Sequence, residues 1–194
     1  MNWREMVQSY GAGLSAMEAT DGGGRPVPVD EAFRAWSAAS CAVRSSGRCA
    51  YLIGNGASAS MASHAAADVA KNGALRTQVF TDLSLITAIG NDIGYAEVFA
   101  EPLRRHASRG DLLVAISSSG RSENVLRGAR AVREAHGTVV TLSAMRPDNP
   151  LRSLGDINLY VPVATYGLAE SCHAAVLHHW IDAMVDGAPS KGGA

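Results

Sequence analysis

Five short apolar runs separated by stretches of helical spacing constrain this chain more than any other feature. Strands are expected near 49–54, 77–81, 111–117, 138–144 and 157–163, and helices near 58–72, 95–108, 122–136, 148–154 and 168–186. The run 112–116, Leu-Leu-Val-Ala-Ile, has no polar residue alternating through it, which marks a strand covered on both faces. Such strands joined by helical crossovers build a doubly wound α/β fold, a five-stranded parallel sheet with helices on both faces. Ligands of such sheets bind beyond the carboxyl ends of the strands.

Ahead of this alternation the sequence predicts two helices. The first runs from Met1 to about Ala19, with Trp3, Met6, Val7, Tyr10 and Leu14 at three- and four-residue spacing, and the second from about Asp30 to Ser45. Between them, 21–28 (Asp-Gly-Gly-Gly-Arg-Pro-Val-Pro) reads as a flexible turn. The chain therefore divides into an N-terminal oligomerisation helix and turn (1–28), one domain (29–187) and a disordered tail (188–194). A sheet already covered by its own crossovers leaves the first helix no seat, so partner chains are expected to bury it in a homotetramer.

Two loops fall at strand ends. In 49–58, Cys-Ala-Tyr-Leu-Ile-Gly-Asn-Gly-Ala-Ser, an apolar run breaks at Gly54, passes Asn55 and Gly56, and enters an Ala-rich helix at Ser58. In 111–124, the apolar run is followed by Ser117, Ser118, Ser119, Gly120 and Ser122, the last an N-cap for the next helix. Strand, glycine turn and helix start aim backbone N–H groups and hydroxyls at one point, where a phosphate can sit.

With 17 basic and 18 acidic residues interspersed, the net charge is −1, which leaves no electrostatic footprint for nucleic acid or a membrane surface. No apolar run approaches a membrane span, and the N-terminus lacks the order of a signal peptide. Cys41, Cys49 and Cys172 show no paired spacing and suit reduced thiols in a cytoplasmic protein, with Cys172 a packing residue. His64 and Asp68 share one helix face, which is half of a zinc site or of an acid–base pair. The last helix carries Glu170, His173, His178 and His179; helical stepping gives His178 the apolar, inward face and leaves His179 solvated.

These segments, together with 85–92 (Leu-Ile-Thr-Ala-Ile-Gly-Asn-Asp) and 116–125 (Ile-Ser-Ser-Ser-Gly-Arg-Ser-Glu-Asn-Val), resemble the sugar-isomerase (SIS) domain family from about residue 30 to 186. Their order and spacing are most similar to the phosphoheptose isomerases of that family. The resemblance implies a flavodoxin-like sheet, active sites between subunits, and one zinc per chain held by His64, Asp68, Glu170 and His178. It implies Asp68 as the base and His178 as the opposing acid or base. Asn55, Gly56, Ser58, Asp92, Ser117, Ser118, Ser119, Ser122 and Glu170 become candidates for holding substrate and its phosphate. Asp68 stands where the family usually has Glu, Glu170 where Gln is usual, and Gly167 where an acidic residue is common. The implied reaction takes sedoheptulose 7-phosphate to D-glycero-D-heptose 7-phosphate through an enediol. An isomerase for another ketose phosphate, or a non-catalytic sugar-phosphate module, remains open at this level.

Overall fold

The computed structural model describes residues 2–186. In chain order its elements are α1 Trp3–Ser15, β1 Glu18–Asp21, β2 Pro26–Val27, α2 Val29–Ser45, β3 Cys49–Gly54, α3 Ala57–Gly73, β4 Arg76–Val79 and α4 Leu83–Asp92. There follow a 3₁₀ turn Tyr95–Glu97, α5 Ala100–His106, β5 Leu112–Ser117, α6 Glu123–Glu134, β6 Thr138–Ala144, a 3₁₀ turn Pro150–Ser153, β7 Ile157–Val161 and α7 Tyr166–Asp186. All strands join one sheet in the order β2-β1-β7-β6-β5-β3-β4. From β7 to β4 every pairing is parallel. Numbered among themselves, these five strands follow the order 2-1-3-4-5 of flavodoxin-like sheets, with the reversal between β3 and β5. Both Gly/Ser loops leave the sheet there.

The sheet has seven strands rather than the expected five. Residues 18–21 were expected to end a helix and open a turn, yet Glu18–Asp21 pairs antiparallel with β7, Ala19 opposite Leu159. β2 closes a hairpin onto it, Ala19 opposite Val27. Glu-Ala-Thr-Asp has no apolar run to announce a strand; its state is set by backbone hydrogen bonds to a strand far along the chain. Arg152 fastens this edge, its guanidinium 4.2 Å over the Tyr160 ring and 2.8 Å from the Glu18 carboxylate.

Two apolar layers cover the sheet. One joins α2, α3 and α7 to the side chains of Leu52, Val114 and Leu142, and is centred on stacked Trp36 and Trp180, 4.4 Å between ring centroids. The other packs α5 and α6 against Ile53, Leu113 and Ala115. Helix α1 seats Met6, Tyr10 and Leu14 against Leu168, Ala169 and Cys172 of α7, so it has a place on its own chain after all. Its other face leaves Trp3 75% and Val7 49% exposed.

Two further expectations change, and a helix stands where none was predicted. Residues 83–92 form α4, because Leu85, Ile86 and Ile89 recur at helical spacing behind an Asp82 cap whose carboxylate accepts the Leu85 N–H. The helix expected at 95–108 is a 3₁₀ turn followed by α5, and that expected at 148–154 is a single 3₁₀ turn. The tail expectation, 188–194, lies outside the described residues.

Candidate active site

Both loops converge on one cavity of about 190 Å³. The first loop contributes Asn55 and Ser58, and the second contributes Ser117, Ser118, Ser119 and Ser122. Tyr166 and Glu170, on the first turn and a half of α7, close the side. The first loop turns sharply because Gly54 lies against α3: a Cβ there would stand 2.6 Å from that of Ser58. Gly56 then takes a φ of +55°, the left-handed region that favours glycine, and α3 begins. The N-termini of α3 and α6 both face this strand edge, and each carries the partial positive charge of a helix start.

The second loop is shaped from beneath. Gly120 has a φ of +62°, and a side chain on it would overlap the amide of Asn149. Asn149, 3% exposed, donates to Ser143 Oγ at 3.2 Å and to the Arg146 carbonyl at 2.8 Å. Leu151 N–H reaches the Gly120 carbonyl at 3.2 Å, which ties the loop to the 3₁₀ turn after β6. Ser122 occupies the N-cap position of α6, but its side chain makes no capping bond; its hydroxyl accepts from Ser117 Oγ at 3.1 Å. The expected cap is therefore replaced by a hydroxyl pair inside the pocket.

The two loops are bolted together by a pair of amides. Asn55 Nδ2 donates to Asn124 Oδ1 at 2.9 Å, and Asn124 Nδ2 returns the bond to Asn55 Oδ1 at 2.8 Å. Tyr95 OH adds a bond to the same Asn55 oxygen at 3.2 Å. Sequence reasoning placed Asn55 in the site but missed Asn124, Asn149, Tyr95 and Tyr166. Asn124 was visible in the Ser-Glu-Asn helix start; nothing local marked the others.

About six residues further along α3, and against α7, lies the second group. Asp68 Oδ2 stands 3.3 Å from His64 Nε2, and the His64 and His178 rings meet edge-on at 5.7 Å. His64 and His178 line a small apolar groove with Met61, Leu177 and Ile181. Both imidazoles are exposed, so the inward position expected for His178 is corrected. The buried histidine is His173, fully enclosed and with neither ring nitrogen at hydrogen-bonding geometry. Burial lowers its pKa to about 4 and keeps it neutral. His179 stands edge-on to Phe33 at 4.5 Å. Cys172 is buried, as expected of a packing residue, and burial raises its thiol pKa.

Two predicted members sit apart. Asp92, a candidate for holding substrate, closes α4 and lines a separate groove with Phe80, Ile89, Glu101 and Arg105. Glu170 opens into the serine pocket rather than onto the His64–Asp68 pair. Among the described residues no group of three or more His, Cys, Asp or Glu is placed to hold a metal ion. His64, Asp68 and His178 lie together between α3 and α7, while Glu170, eight residues and about 12 Å of helix before His178, opens into the serine pocket.

A doubly wound sheet with paired Gly/Ser loops at its switch point is a setting for anionic ligands, and the SIS-domain model matches residues 29–144. The chain belongs to the SIS-domain family. Within that family its relatives include the phosphoheptose isomerase of Aliarcobacter butzleri, 36% identical over 141 residues that span 70% of this chain and 74% of the relative. The phosphoheptose isomerase of Helicobacter hepaticus is 35% identical over 133 residues, 66% of this chain and 67% of the relative. The solved phosphoheptose isomerase of Neisseria gonorrhoeae superposes with a TM-score of 0.81 at 26% identity, over 94% of each chain.

Proposed function

We propose that this protein is an aldose–ketose isomerase that converts sedoheptulose 7-phosphate to D-glycero-D-heptose 7-phosphate through an enediol. One observation carries the reading beyond the family relationship. The serine pocket and the His64–Asp68–His178 group lie on the same two packed helices, α3 and α7. They are separated by about 9 Å of helix from Ser58 to His64. A seven-carbon sugar phosphate carries its reacting carbons at one end and its phosphate at the other. Hydroxyls and helix starts without a bulky side chain suit the phosphate, and a carboxylate beside two imidazoles suits the proton transfers.

In this scheme the serine loops and Asn55 hold the phosphate end. Asp68 removes the proton from the carbon next to the carbonyl and returns it to the neighbouring carbon. His64 orients that carboxylate, and His178 moves the proton between the two oxygens. Acid–base steps of this kind contribute roughly 10²–10⁴-fold. No step is routed through a metal. Zinc bound by His64, Asp68 and His178, with Glu170 brought over from the serine pocket, is the finer reading that elemental analysis of active protein tests.

The exposed Trp3 and Val7 face of α1 supports residues 1–28 as the oligomerisation element of a homotetramer, and the exposed His64 and His178 support a site completed between subunits. Three free thiols suit a cytoplasmic setting, and among the described residues no helix is long and apolar enough to cross a membrane. The deciding experiment is turnover of sedoheptulose 7-phosphate beside shorter and longer ketose phosphates, with Asp68→Asn and His178→Ala as controls. Each control is expected to lose at least 100-fold in kcat while still binding inorganic phosphate. Turnover of a different ketose phosphate alone would change the substrate, and none at all would leave a binding module.

A further inference from the structure

The serine pocket poses an electrostatic problem. Its lining holds hydroxyls, an amide, the phenol of Tyr166 and the carboxyl of Glu170; among the described residues no Lys, Arg or His lines it. A phosphate ester bound there carries up to two negative charges beside a carboxylate, and the hydroxyls and the two helix starts, each with about half a positive charge, offset that repulsion only in part. A full positive charge within reach would complete the balance, and the loop itself carries one. Arg121 lies between Gly120 and Ser122, on the same turn as the pocket's serines, with its side chain 53% exposed.

Arg121 is held only loosely where it stands. Its guanidinium is 3.8 Å from Asp148 Oδ2, beyond hydrogen-bonding distance. That carboxylate is already satisfied: Arg146 Nε meets Oδ1 at 2.9 Å and Arg146 Nη2 meets Oδ2 at 3.2 Å. This fork is the main cause that holds the Asp148 carboxyl below the usual carboxylate range, with Arg121 adding the smallest contribution. The Arg121 backbone, by contrast, is fixed, its N–H donating to Ser119 Oγ at 3.2 Å. A fixed backbone with a redundant guanidinium suits a cation that leaves its resting place when an anion arrives.

The geometry points to Arg121 as the phosphate-clamping cation of this site, parked at Asp148 when the pocket is free and swung over the serine loop when a sugar phosphate binds. It is a binding residue for the phosphate end, remote from the His64–Asp68–His178 group, and it offsets the charge that Glu170 brings. The inference rests on the proposed isomerase reading for its substrate class, but not for its test.

The test measures KM and kcat for sedoheptulose 7-phosphate, and inhibition by inorganic phosphate, in wild type, Arg121→Ala and Arg121→Lys. A charge-assisted hydrogen bond lost from a bound anion corresponds to roughly 10- to 100-fold in affinity. Arg121→Ala should raise KM and the phosphate inhibition constant by that factor and leave kcat within about twofold. Arg121→Lys should recover part of the loss, and added salt should weaken wild-type binding more than that of Arg121→Ala. An unchanged KM in Arg121→Ala, or a fall in kcat alone, would overturn the assignment. Should wild type turn over no ketose phosphate, ³¹P line broadening of inorganic phosphate on the same proteins reads the clamp directly. The isomerase reading would then have failed, and Arg121 would stand or fall separately.

Discussion

His173 makes a quantitative prediction about acid stability. The ring is fully buried, one helical turn after Glu170, and its pKa falls from the ordinary 6.5 to about 4. Desolvation is the main cause; a weak backbone contact at Ser143 opposes it. A histidine of depressed pKa is neutral when folded and takes up a proton when unfolded throughout the interval between the two values. The unfolded state then binds more protons, so stability rises with pH across that interval and is lost as pH falls from about 6.5 towards 4. That depression corresponds to about 3 kcal/mol, of which about 2 kcal/mol is lost by pH 4.5. The perturbation is His173→Phe, which keeps a ring in place, cannot titrate, and removes two buried nitrogens that lack partners. Urea unfolding of wild type and variant at pH 7, 6, 5 and 4.5 should give wild-type curves that lose about 2 kcal/mol more than those of the variant. Comparing the two slopes removes the contribution of carboxylates common to both. Parallel pH profiles would refute the reasoning and mean that the ring finds a proton acceptor when charged. His173→Gln, which keeps a polar group there, should flatten the profile equally, and so guards against a packing artefact in the Phe variant.

Two other outcomes follow from packing. Gly120→Ala should weaken phosphate binding at least tenfold in KM while the protein stays folded by circular dichroism, because the new methyl meets the Asn149 amide at a left-handed φ and the loop must move. Unchanged KM would mean that the loop tolerates the shift. Trp180→Phe should cost about 2 kcal/mol in urea unfolding, since it shrinks the stack on Trp36 and removes the indole N–H bond to Ser40 Oγ at 3.0 Å; a change under about 0.5 kcal/mol would contradict a well-packed centre there.

Much of the architecture is local information and is legible in the chain. Apolar runs such as 112–116 dictate buried strands, helical spacing dictates the crossovers, and Gly54, Gly56 and Gly120 punctuate the strand ends. From these a parallel core with a Gly/Ser loop at each of two strand ends follows, because backbone geometry ties each loop to the end of its own strand, and the pairing of β3 with β5 brings the two loops together. Asn55, Ser58, Ser117, Ser118, Ser119 and Ser122 accordingly meet in one cavity. What the chain could not settle alone depends on partners distant in sequence. Glu18–Asp21 becomes a strand because β7 offers it a free edge. His173 and His178, five residues apart, point about 140° away from each other on α7, and only the packing of that helix decides that His173 is buried and His178 exposed. Glu170 joins the serines and leaves His178 by the same rotation and rise. A helix wheel sets the angles between side chains, whereas the surface that each angle meets is set by the sheet and helices around it.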